Sequence, residues 1–236
     1  MMLRVIVLVS GTCWSYAVGW LVGVPAAVPA LNVLPAFPFL YLSLSEGRTN
    51  RAIAEMLVWA ATLAVCSTLI AYIDPLVAGR LFINAASYRR EMFFWVQTGV
   101  GAESDPAQFI PAHAQHAAVF CGLSFSTASV VSMAMGALLM NYMGAYVGSL
   151  AAVSRHPLLT ALAAWVPWSV IRVASFVVLG VVLAGPLASR LLGFRFRLRE
   201  HLPALRIAGV GLLADIILKA ALAPPWHLLL RRLVGW

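Results

Sequence analysis

WVPWSVIRVASFVVLG, residues 165–180, decides what kind of molecule this is. It is apolar almost throughout, and the run continues to residue 186. A bilayer-spanning helix needs about 20 predominantly apolar residues. Leu158 to Gly185 meets that need, with Pro167 as an expected kink. Yet Arg172 stands near the middle of the run. An arginine at the centre of a spanning helix costs about 2.5–3.5 kcal/mol on insertion scales, and it cannot shed its proton. An acid, backbone carbonyls or water must meet it.

The rest of the chain agrees with a membrane reading. Of 236 residues, 62% are hydrophobic and 10% charged, and mean hydropathy is +0.92. Soluble domains carry about 25% charged residues, so a soluble surface cannot be built from this composition. The net charge of +8 comes almost wholly from arginine, with Lys219 the one lysine. These arginines lie mainly between apolar segments, where topology and anionic headgroups account for them, so nucleic acid is not an expected partner. Cys13, Cys66 and Cys121 are isolated from one another in or beside apolar runs, which argues for buried hydrophobes and against a disulfide framework.

Outward from the opening stretch, the pattern predicts an all-α polytopic bundle of five to six transmembrane helices, a single domain over residues 1–236. Val5 to Val24 is read as a retained helix, longer than a signal peptide's apolar core. Residues 25–45 are apolar but carry Pro25, Pro29, Pro35 and Pro38, so they form either a kinked span or a broken one. Ala52 to Ile73 is a helix stopped by Asp74-Pro75. Residues 74–115 are expected to be one extramembrane excursion, with an interfacial amphipathic helix at 78–97. His116 to Val153 is rich in Gly and Ser, the pattern of tight helix packing in a bilayer. It is either one long tilted helix or two pieces meeting near Asn141. Residues 190–203 read as a basic loop and Leu205 to Ala223 as the last helix, followed by the aromatic, basic anchor PPWHLLLRRLVGW.

Four residues stand out as a buried ion pair or as lining a pathway: Arg172, Asp215, Lys219 and Asn141. Asp215 is the favoured partner for Arg172, because their helices are consecutive and would pack antiparallel; Glu55 is the other intramembrane acid. Lys219 is four residues from Asp215 and could share it. Asn141 needs hydrogen-bond partners at depth, which interhelical bonding or a polar pathway would supply. His113 and His116 fall on one helix face, a metal-ligand spacing when carboxylates join them, and Glu91, Glu103 and Asp105 are near in sequence. Walker A, GxSxG and GxGxxG motifs are missing.

NYMGAYVGSLAAVSRHPLLTALAAWVPWSVIRVASFVVLGVVLAGP, residues 141–186, resembles the core of the stage II sporulation protein M family. The likeness is an Asn-bearing helix followed by small residues, a short turn, and a helix with a proline motif. That family's Pro-His-Gly and acid are represented here only by Pro167-Trp168-Ser169 and Arg172. The resemblance implies a multi-helix membrane scaffold or partner subunit and transfers no catalytic residue.

The expected function is a multi-pass protein of a bacterial or archaeal cell membrane. It would act as a scaffold, permease-like component or accessory subunit with no cofactor. Its partners would be the lipid bilayer and either other membrane subunits or further copies of itself. The alternative is a membrane enzyme or a redox or metal-binding subunit using His113 and His116.

Overall fold

The computed structural model describes residues 2–236, and no strand occurs among them. Eleven α-helices follow in order: α1 (Met2–Val22), α2 (Val28–Val33), α3 (Phe37–Ser45), α4 (Thr49–Ile73), α5 (Pro75–Leu81), α6 (Ala85–Thr98), α7 (Pro106–Ser126), α8 (Val130–Ala152), α9 (Pro157–Ala164), α10 (Pro167–Leu192) and α11 (Leu202–Val234). Six segments are long and apolar enough to cross a membrane: α1, the combined Pro25–Ser45, α4, α8, α10 and the stretch containing α11. The molecule is a multi-pass helical membrane bundle.

Pro25, Pro29 and Pro38 sit in the first turns of short helical pieces, where a missing N–H costs nothing, and Pro35 lies in the turn between α2 and α3. The pieces run end to end as one broken span. Asp74 closes α4 and caps α5, its Oδ1 accepting the Leu76 and Val77 N–H groups at 2.9 and 3.0 Å. The interfacial helix expected at 78–97 is instead two helices, because Asn84 adopts a left-handed φ of 61° between them.

Within the excursion expected to reach residue 115, a further helix begins at Pro106. There Asp105 caps α7 by accepting from the Ala107 N–H at 3.0 Å, and α7 runs back into the bundle. The break in 116–153 lies at Thr127–Ser129, not near Asn141. Ala128 and Ser129 take φ of 49° and 67°. Such a buried break must satisfy its polar groups. Tyr41 donates to the Ala128 carbonyl at 2.8 Å, and the Ser129 hydroxyl donates to the Gly180 carbonyl at 2.6 Å.

Two further expectations are corrected. Pro167 does not kink a long helix but begins one. It forces Val166 into an extended conformation (ψ 143°), separating α9 from α10. Arg172 therefore sits in the second turn of α10 rather than in mid-span. The last helix does not end at Ala223: α11 continues through Pro224 and Pro225 to Val234. Tertiary packing holds it there, with the Trp226 ring against Trp168 and its Nε1 donating to the Ala163 carbonyl at 2.9 Å.

Close packing centres on α4 and α8. Gly144 and Gly148 let α8 approach the α4 backbone, and a Cβ on Gly148 would sit on the Thr68 carbonyl. Beside this pair, α10 packs between α7 and α11, which sets up the site described next.

Candidate functional site

A cavity of about 310 Å³ opens where α6, α7, α8, α10 and α11 meet. Ionisable side chains line it from four helices and a loop: Glu91 from α6, Glu103 from the 99–105 loop, His113 and His116 from α7, Arg172 from α10, and Asp215 and Lys219 from α11. Its walls are otherwise aromatic and apolar, with Tyr88, Phe109, Tyr142 and Trp165 among them.

Asp215 is 1% exposed. Its Oδ2 lies 3.6 Å from Arg172 Nε and 3.3 Å from His113 Nδ1. Arg172 also reaches Ser169 Oγ, one helical turn back, at 2.9 Å, and approaches His113 Nε2 to 2.6 Å. A guanidinium has only donors to offer. His113 Nε2 must therefore accept, which makes the imidazole neutral and puts its proton on Nδ1, toward Asp215. The Nδ1 approach to Oδ2 is close but not aligned as a hydrogen bond, which leaves His113 Nδ1 without a partner; the other carboxylate oxygen, Asp215 Oδ1, is buried and also lacks one.

Lys219 is 2% exposed. Its ammonium pairs with Glu103 Oε2 at 3.0 Å and lies over the Phe109 ring, 4.6 Å from the centroid. The shared Arg172–Asp215–Lys219 pairing drawn from i, i+4 spacing is thus replaced: the loop acid takes the lysine, and Asp215 turns to α10 and α7. Glu55, the other acid considered for Arg172, is held by Arg51 at 3.1 Å, Arg4 at 3.6 Å and the Ser43 hydroxyl at 2.6 Å.

Asn141 lies outside the cavity. Its amide nitrogen donates to Asn32 Oδ1 at 2.8 Å and its oxygen accepts from the Tyr16 hydroxyl at 2.6 Å. Asn32 in turn donates to Ser15 Oγ at 2.7 Å, and its carbonyl accepts from Trp59 Nε1 at 2.9 Å. The chain of bonds ties α1, α2, α4 and α8 together and answers the interhelical reading of Asn141.

The two histidines share a wall but do not form a metal pair. His113 offers no free lone pair, since Arg172 occupies Nε2, and the guanidinium charge beside it repels a cation. No cluster of three or more His, Cys, Asp or Glu with metal-holding geometry occurs among the described residues.

Sequence spacing missed Glu103 as the partner of Lys219, and missed Ser169. The signal for Glu103 was available by elimination, because the chain has only eight acids to set against a buried lysine. Neither a family model, nor a curated protein, nor a solved structure matches this chain.

Proposed function

We propose that this protein is a permease-like or accessory membrane subunit that holds a small polar ligand in the cavity around Asp215. The observation that carries the reading is Asp215, a buried carboxylate that lines a cavity large enough for a ligand and keeps one oxygen, Oδ1, without a hydrogen-bond partner. Ionisable residues are expensive at membrane depth and mark binding sites and pathways there.

The likeness of residues 141–186 to the stage II sporulation protein M core supports an accessory role. So do the exposed apolar faces of α1 and α11, which suit lipid or neighbouring subunits: Trp14 is 70% exposed and Ile207 71%. The reading as an enzyme built on His113 finds less support, because Arg172 already takes the lone pair that a general base would use.

The test is direct. Protein reconstituted in lipid nanodiscs is incubated with a small-molecule cell extract, washed, denatured and analysed by mass spectrometry. Wild type should release a polar molecule that Asp215→Asn does not. Identical releases from both would overturn the reading.

A further inference from the structure

A second, wholly apolar pocket of about 80 Å³ adjoins the polar cavity. The two share Leu139, Met140, Val173 and Phe176 as common wall. From there the second pocket runs along α10 past Val177 to Gly180 and Val181, deeper into the span, while the polar cavity lies near the start of α10. Met56, Met133 and Met140 contribute flexible side chains to it. The site is therefore polar at its outer end and apolar at its inner end.

The polar end also has a sign. Glu91, Glu103 and Asp215 face Arg172 and Lys219 with a neutral His113, which leaves one excess negative charge when His116 is also uncharged. Glu91 has no ion pair among the described residues. The unpartnered Asp215 Oδ1 calls for a hydrogen-bond donor, and the aromatic walls of Tyr88, Tyr142 and Trp165 suit a cation.

We infer that the ligand is an amphiphile, with an ammonium head held by Asp215 in the polar cavity and an apolar arm lodged in the pocket between α4, α8 and α10. The inference rests on the ligand-binding reading above and names the ligand's class. The head lies near the helix start and the arm points into the span, the orientation an amphiphile already has in a bilayer. A pocket of about 80 Å³, against the roughly 10–15 Å³ that a single water needs, has room for an arm of several methylenes.

The test compares ethylamine with pentylamine, which differ by three methylenes, and with pentanoate, which reverses the charge. Each is titrated against the full chain in phosphatidylcholine nanodiscs, with empty nanodiscs as the control for partitioning. Half-saturation is read from the shift in thermal unfolding. Burial of a methylene is worth about fourfold in affinity, so pentylamine should half-saturate at about 50-fold lower concentration than ethylamine. Pentanoate should not bind, and Asp215→Asn should lose both amines.

Gly136→Leu should reduce the 50-fold ratio to about fivefold or less and leave ethylamine unchanged. A Cβ there meets nothing nearer than a Phe120 ring carbon at 3.9 Å, so a longer side chain extends into the pocket. Val177→Phe fills the same pocket from α10 and serves if Gly136→Leu fails to fold. A wild-type ratio of only a few-fold, or one that survives either folded filling variant, overturns the apolar arm. Pentanoate binding as well as pentylamine overturns the ammonium head. If the amines fail while the extract still yields an Asp215-dependent molecule, this inference alone falls; if the extract also yields nothing, the ligand-binding reading falls with it.

Discussion

Two of the polar side-chain clusters buried in this bundle are completed in different ways. In the first, Asn141, Asn32, Tyr16 and Ser15 exchange neutral hydrogen bonds across α1, α2, α4 and α8, and the amide oxygens of both asparagines are occupied. In the second, Arg172, His113 and Asp215 bring charge to the meeting of α7, α10 and α11, and Asp215 keeps an oxygen without a partner. Other buried groups also lack partners, Trp168 Nε1 and Tyr146 Oη among them. Asp215 differs because it is a carboxylate and because it lines the cavity beside other ionisable side chains. A satisfied network fixes how helices dock, whereas a charged, unsatisfied one is costly to keep and is retained where something else completes it.

The largest effect tests the packing that the neutral network reinforces. Gly148→Leu should cost more than about 3 kcal/mol, because the new side chain meets the Thr68 carbonyl and the α4 backbone rather than a movable side chain. Thermal unfolding in detergent, or loss of folded yield, measures it. A well-folded variant would mean that α4 and α8 can separate, and the neutral cluster would then lose its status as the rigid half of the comparison.

Next comes the charged cluster. Asp215→Leu should cost about 3 kcal/mol, the low end for a broken buried pair, because Arg172 keeps Ser169 and is partly exposed. The double variant Arg172→Leu with Asp215→Leu should recover much of that stability while losing ligand. Single losses that simply add in the double variant would show that the two residues do not interact.

Asn141→Leu should cost less, about 1–2 kcal/mol, since it strands one acceptor on Asn32 and weakens the setting of the Tyr16 hydroxyl without leaving a charge. It should leave ligand release in the extract experiment unchanged. A variant that folds but loses ligand would join the two clusters into one site.

The difference between the clusters was only partly legible in the sequence. Runs of apolar residues reveal spans well, and a lone arginine in such a run demands an acid, which is why Arg172 and Asp215 could be set together from residue type and helix order. Helix ends were harder to read. Pro167 can either kink or begin a helix, and the choice depends on how Trp168 and Trp226 pack at that break. Pro224 and Pro225 read as a stop and are carried through by the same packing. The partner of Asn141 could not be read at all, because Asn32 lies 109 residues away in a proline-broken segment whose geometry no periodicity fixes. Glu103 was hidden for a related reason: it belongs to a loop, and loop positions follow from the elements they join.

The smallest predicted effect separates two residues that sequence spacing treats as equals. His113 and His116 are one turn apart on α7 and line the same cavity. His113 is half-buried between Arg172 and Asp215, while His116 is exposed and makes no hydrogen bond or ion pair among the described residues. His113→Ala removes an acceptor from a guanidinium that is only partly exposed, and should cost about 1–2 kcal/mol together with the ligand. His116→Ala removes a side chain with no partner to strand, and should stay within about 0.5 kcal/mol of wild type. Unfolding curves of the two variants, with mass spectrometry of the bound fraction, make the comparison. Equal losses from both would mean that the histidines act as a unit, and the cavity would then have to be rebuilt around a ligand that bridges them.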